Sequence, residues 1–229
     1  MLKTEQLARS GPSAEDRATV KPRWRGLSHL VAFGVSLLTG PLLVLAAPTI
    51  GARLVLCIYG LSLSALFGVS ALYHRPTWSP RVRGWLRRVD HATIFLAIAG
   101  TYTAIAGLTL PSSTAWAVLT VVWIGALVGA ALQLFRGLAP RWLSAGPYLA
   151  LGWVAVGVMP QLAQTLGQGG LALLLSGALL YTVGAVVYAG KRPNPRPLVF
   201  GYHEVFHLLV IAAAAAHYAT VARFVLPHL

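Results

Sequence analysis

An all-α integral membrane protein, built as a bundle of seven transmembrane helices, is the fold class that three features of the sequence predict. Hydrophobic residues make up 57% of the 229 and charged ones only 10%, whereas soluble domains run near a quarter charged; the mean hydropathy is +0.70. The apolar residues stand in continuous runs instead of alternating with polar ones, which argues against a membrane β-barrel and its period of two. Lys and Arg, finally, fall almost wholly in alternate loops.

Taken in order, the apolar runs cover roughly 27–47, 51–73, 90–110, 115–135, 142–164, 170–190 and 203–225, each close to the ~20 residues that cross a bilayer. Residues 1–26 carry six basic side chains and three acids without the apolar core of a secretory signal, and are expected as a flexible basic tail ahead of a transmembrane domain spanning 27–229. Helix 2 ends at Tyr73-His74, where Arg75-Pro76 stops it. Helix 3 opens on Asp90-His91 and helix 7 on Tyr202-His203. Pro41, Pro147 and Pro160 fall in or near spans and are tolerated there as kinks. Gly100, Gly107, Gly152, Gly157, Gly177 and Gly184 are expected where helices touch. Trp24, Trp78, Trp85, Trp116 and Trp142 sit near span ends as interface anchors.

Counting Lys and Arg by loop gives sixteen on the side of the N-terminus against two, Arg53 and Arg223, on the other. Positively charged loops stay inside, so the N-terminus is expected in the cytoplasm and the C-terminus outside. The net charge of +13 is thereby a matter of membrane topology and implies no nucleic-acid partner. Cys57 is the single cysteine. A thiolate cluster is excluded, and any metal must use His, Asp, Glu or water.

His203-Glu204-Val205-Phe206-His207 places two imidazoles four residues apart, on one helical face about 6 Å from each other, and reads literally as the two-histidine zinc motif H-E-x-x-H. A protease of that type completes its site with a downstream ligand. No Asp or Glu follows Glu204, position 213 is Ala213, and His217 lies ten residues on, about 15 Å along the axis. The third ligand must come from another helix at the same depth, and the topology delivers His74. Three histidines leave a fourth position open, the pattern of a catalytic zinc site. Asp90 is placed to hold or deprotonate water there, and Ser70, one turn before His74, to support a ligand or substrate. His29, His91, His217 and His228 are expected as structural histidines, with His29 first in line for another role.

Ser70-x3-His74, Asp90 at the opening of helix 3 and His203-x3-His207 together form a recognisable pattern. With Tyr73-His74, Arg88-Val89-Asp90-His91 and Thr101-Tyr102-Thr103, the chain resembles the hemolysin III branch of the progestin and adipoQ receptor family over residues 27–225. The resemblance implies a seven-helix fold with the N-terminus inside, zinc held by His74, His203 and His207, Asp90 near a zinc-associated water, and a ceramide-hydrolysing activity. Glu204 departs from the receptors, where this position is not acidic.

The expected function is therefore a zinc-dependent hydrolase of a lipid-like amide in the bacterial inner membrane, with membrane lipid as its partner and substrate class. The alternative is a zinc-stabilised sensor or receptor of lipid or membrane state. A cytolysin is the third class, and the spans offer few polar faces to line a pore.

Overall fold

The structure is a computed structural model that describes residues 21–135 and 141–229, the side chains of 141–145 excepted. Residues 1–20 of the expected tail, Arg136 and the Trp142 side chain lie outside the described residues. Every regular element among them is helical: α1 Leu27–Ala46, α2 Ile50–His74, α3 Pro80–Thr109, α4 Ser112–Phe135, α5 Arg141–Gly152, α6 Met159–Gly190 and α7 Tyr202–Thr220. A 3-10 turn, Trp153–Val158, joins α5 to α6, and a π-turn, Val221–Val225, extends α7.

Six helical stretches are long and apolar enough to cross a membrane. Their outer faces carry Leu38, Leu45, Trp116 and Phe135, each at least 70% exposed. So large an apolar exterior is stable against lipid and not against water. The protein is an integral membrane protein that crosses the bilayer several times.

Local signals explain most helix boundaries. Thr49 caps α2 by accepting from the Ala52 amide at 3.2 Å, and α2 stops where Pro76 disfavours helix at Arg75. Helix α3 begins ten residues before the expected 90, because Ser79 supplies an N-cap and Pro80 the first helical position. Hydropathy missed these nearly three turns, since Arg81, Arg83, Arg87 and Arg88 dilute it. The short basic helix start emerges from the apolar bundle.

The stretch Gly146–Gly190 runs 45 residues, which as one straight helix would measure about 68 Å, more than twice a ~30 Å hydrocarbon core. It is not straight. Gly167, at φ 63° and ψ −179°, breaks the helical path in a conformation open essentially to glycine. Near its start, Tyr148 donates to the His91 carbonyl at 3.4 Å. Near its end, Tyr188 lies 3.3 Å from His91 Nε2. In between, Thr165 reaches the Thr109 carbonyl at the opposite end of α3. The chain thus travels the length of α3, turns at Gly167 and returns.

Sequential helices pack side by side, and α1 meets α7 to close the bundle. Gly40 and Gly60 bring α1 against α2 so closely that a Cβ on Gly60 would lie 3.3 Å from Gly40 Cα. Gly100 and Gly177 are tighter still, against Ser62 and His217. Gly152 and Gly157, expected to pack in the same way, have open space where a Cβ would stand. Gly152 ends α5 and Gly157 lies in the 3-10 turn that follows it.

Candidate metal centre

Three elements bring the site together. His74 is the last residue of α2, Asp90 lies one-third of the way along α3, and His203 and His207 occupy the first two turns of α7. Helical spacing puts His203 and His207 on one face, and the return of α7 beside α2 and α3 supplies the rest. His74 Nε2 and His203 Nε2 are 3.1 Å apart, and one nitrogen from each of His74, His203 and His207 lies within 4.8 Å of the other two. His74 and His207 are buried, at 7% and 2% exposure.

These nitrogens fit a metal. Bonds of ~2.0–2.1 Å in a tetrahedral site would separate donor nitrogens by about 3.3 Å. His207 Nδ1 is buried without a hydrogen-bond partner, and such a group in a native structure calls for an ion or water. The three histidines could hold a metal ion.

Asp90 Oδ2 stands 3.9 Å from His74 Nε2 and 3.9 Å from His91 Nδ1. Ser70, 3% exposed, lines the same cavity wall as Asp90. Asp90 is well inside α3 and so does not cap that helix, the ordinary role of an Asp before an apolar run. His91 Nδ1 faces the Arg87 carbonyl at 2.8 Å. A carbonyl only accepts, so Nδ1 carries the proton and Nε2 accepts from Tyr188. The two tyrosines that contact His91 thereby tie α5 and α6 to the aspartate's end of α3.

His29 stacks on His207 with ring centroids 3.8 Å apart and planes 8° from parallel. Parallel rings do not aim their nitrogens at one point, so His29 is a wall that fixes the His207 ring. Nothing in the sequence separates it from a helix-start histidine, because the stack joins α1 to α7.

Glu204 is the residue whose place the sequence leaves open. It is 2% exposed. Its Oε2 accepts from the Gly201 amide at 2.7 Å, and its Oε1 meets Arg25 Nε as an ion pair without the alignment of a hydrogen bond. Both oxygens are engaged on the side of α7 that faces α1, away from the cavity described below. Residues 21–26, the end of the expected tail, form a strap around this pair. The amides of Arg23 and Trp24 donate to the carbonyls of Leu198 and Val199, each at 3.2 Å. Lys21 Nζ donates to the Arg75 carbonyl at 2.7 Å. The strap therefore fastens the start of α7 to the end of α2, the two helices that carry the histidines.

Gly26 makes this crossing possible. Its φ is 74°, and a Cβ there would lie 2.6 Å from His74 Cβ. Gly26→Ala combines the left-handed penalty of roughly 1–2 kcal/mol with displacement of His74. We expect a lowered melting temperature together with weakened metal affinity, measured by thermal unfolding and metal titration on the same preparation.

Beside the histidines a cavity of about 150 Å³ opens between α3, α5, α6 and α7. Asp90, His91, His203 and His207 form one end; Ile94, Ile98, Phe206 and Val210 line its apolar middle; His217 closes the other. A smaller void of about 60 Å³ continues past His217 between Leu162 and Leu174.

The family model for "Haemolysin-III related" proteins matches residues 17–218. The chain belongs to the haemolysin III family. It is 32% identical over 181 residues to "Hemolysin-3" of Bacillus cereus, covering 78% of each chain. To "Hemolysin-3 homolog" of Bacillus subtilis it is 31% identical over 159 residues, 69% of this chain and 71% of that one. The human "Monocyte to macrophage differentiation factor" is 28% identical over 178 residues, 73% of this chain and 68% of its own. These relatives agree with the hemolysin III branch of the progestin and adipoQ receptor family to which the motifs pointed.

Proposed function

We propose that this haemolysin III protein is a zinc-dependent hydrolase of lipid-like amides, of the ceramide type, acting in the inner membrane of a bacterium. The observation that carries the reading is the meeting of His74, His203 and His207, with Asp90 at 3.9 Å, at the mouth of an apolar cavity. A cavity so lined suits a hydrocarbon chain and would present the chain's polar end to the histidines.

Zinc bound there would polarise the amide carbonyl and make water acidic enough to attack at neutral pH. The protein's own groups do the rest. Asp90 takes a proton from the attacking water and is placed to pass it to the leaving amine. Ser70, buried in the same wall as Asp90, supports the carboxylate. His91, fixed by Arg87 and Tyr188, lines the same end of the cavity. The apolar walls keep bulk water from the acyl chain.

The same proposal takes seven crossings, with the N-terminus inside and the C-terminus outside. The reversal at Gly167 supports two crossings for Gly146–Gly190, and the segregation of Lys and Arg supports the orientation. The metal centre then lies in the cytoplasmic half of the bilayer.

A sensor is the second reading, favoured by one feature: the histidines come from helices far apart in sequence, so a bound ion would tie α2 to α7 and a lipid could shift that tie. Asp90→Asn separates the two. In the zinc-loaded protein, turnover of a panel of N-acyl amides should fall by the ~10²–10⁴-fold typical of a lost acid-base group while bound zinc stays stoichiometric. Wild-type protein that carries zinc and cleaves none of the panel would favour the sensor.

A further inference from the structure

Helices α1 and α7 close the bundle over a shorter length than sequential helices share, and the gap between them is a groove of about 500 Å³. Leu208, Ile211 and Ala215 of α7 line it, whereas the face of α7 with His203, His207 and Val210 lines the other cavity. Small side chains explain the gap. Ala32 on α1 and Ala214 and Ala215 on α7 stop short where a Leu or Phe would fill it. The rims are open to the lipid side of the bundle, with Val31, Val35 and Leu208 at 61%, 52% and 46% exposure.

From Ser28 to Thr39 the groove follows α1 for about 16 Å of helix axis. That is roughly half of a ~30 Å hydrocarbon core, the depth of one leaflet. The far end is shut, because the Tyr218 hydroxyl donates across it to the Thr39 carbonyl at 3.1 Å. Other polar groups at this depth are engaged within the protein: the Thr39 hydroxyl donates to the Val35 carbonyl, and the Ser36 hydroxyl pairs with the Phe33 carbonyl and Ser64. The interior therefore suits hydrocarbon. The mouth differs in kind. Trp24 and Phe200, both lining the groove, meet edge to face there with centroids 6.1 Å apart, and each is joined to an exposed arginine. Arg23 precedes Trp24, and the Phe200 amide donates to the Arg196 carbonyl at 2.7 Å. The Arg23 amide bonds to Leu198 in the same turn, which laces the two basic segments together. Glu204 is the acid that lines the groove, and both of its oxygens are engaged, by the Gly201 amide and by Arg25. Asp90 and Glu204 are the only acids among the described residues, so the charge of Arg23 and Arg196 meets no free carboxylate at the mouth.

We propose that this groove binds one acyl chain of an anionic phospholipid, drawn from the leaflet that borders the strap, with its phosphate held at the level of Trp24 by Arg23 and Arg196. Arginine stems lie along apolar surface while their heads reach a polar layer, so the two charges select the headgroup and the groove takes the chain. A zwitterionic lipid fits less well, because it brings an ammonium of its own to the two guanidiniums. A second copy of the chain seated here in the same orientation would bring its own Arg23 and Arg196 to the same level. The site is separate from the metal centre and does not depend on the hydrolase reading.

The test uses the full-length protein, delipidated in neutral detergent. Dioleoyl phosphatidylglycerol and dioleoyl phosphatidylcholine are titrated as probes, and lipid bound per chain is read by native mass spectrometry. One phosphatidylglycerol should be retained per chain, in preference to phosphatidylcholine by about fivefold for each of the two arginines, roughly 25-fold together. Arg23→Gln combined with Arg196→Gln should bring the two lipids to near-equal affinity. Ala215→Phe, which fills the groove, should weaken both lipids and keep their ratio. Inorganic phosphate, which has no chain, should not displace phosphatidylglycerol. Equal affinities in the wild type overturn the inference, as does a preference that survives loss of both arginines. Unchanged binding in Ala215→Phe, displacement by inorganic phosphate, or a wild-type dimer that Ala215→Phe dissociates overturns it equally. All three substitutions fall on exposed positions, and the wild-type comparison decides the preference by itself.

Discussion

Replacing His207 by alanine is expected to abolish stoichiometric metal binding while the helical bundle stays folded. His207 is the most deeply buried of the trio, at 2% exposure, and its ring centroid lies 5.1 Å from that of His74 and 4.5 Å from that of His203. Two remaining imidazoles make a weak and floppy chelate. The loss should exceed the ~10–100-fold in affinity that changes to supporting residues cost. His29→Phe is the matched control, because it preserves a flat ring against His207 and removes no ligand. A ligand that binds only the native state also stabilises it. Chelation should therefore lower the melting temperature of the wild type and of His29→Phe, and leave that of His207→Ala unchanged. Acidification should act like chelation, since imidazole must shed its proton to bind a metal and affinity falls as protons compete. Metal content by emission spectroscopy across a pH series, read beside the melts, checks each arm. Wild-type occupancy in His207→Ala would remove the centre from the account of function.

The histidines were legible in the sequence because each obeys a short-range rule. A four-residue spacing places His203 and His207 on one face, and a count of basic loops places the end of helix 2 at the same depth as the start of helix 7. Hydropathy sufficed for the runs that became α1, α2 and α4. It failed where charge and helix coincide, at Pro80 to Val89, because a window that averages Arg81 to Arg88 cannot tell a basic helical turn from a loop. Gly152 and Gly157 misled for another reason: glycine serves close packing and irregular backbone alike, and only the fold distinguishes them. Residues that act across the bundle left no mark at all. No spacing links Arg25 to Glu204, His29 to His207 or Tyr188 to His91, since each pair is set by how α1, α3, α6 and α7 are arranged around one another. The motif could say that Glu204 is unlike the receptors' residue; it could not say what the glutamate holds.

Glu204→Ala is expected to cost stability and to spare the chemistry, the reverse of what its place in H-E-x-x-H would suggest. Removing one partner of a buried ion pair costs ~3–5 kcal/mol. Arg25 keeps 21% of its side chain exposed, so its charge can partly rehydrate, and the lower part of that range applies. Loss of the bond to the Gly201 amide adds the ~0.5–2 kcal/mol of a helix cap. Glu204→Gln separates the contributions. Its amide oxygen can still accept from Gly201, but its NH2 group then faces the Arg25 guanidinium, donor against donor, so the cap is kept and the pair is lost. A cycle with Arg25→Ala isolates the pair, and the double variant should be less destabilised than the two single losses added together. In every folded member of the cycle zinc content should stay near the wild type, because no ligand is touched. Turnover should survive in Glu204→Gln, whereas a general base replaced by its amide would lose ~10²–10⁴-fold with stability intact. A Glu204→Gln protein that melts like the wild type, holds its metal and cleaves nothing would make Glu204 the base after all, and would take that role from Asp90.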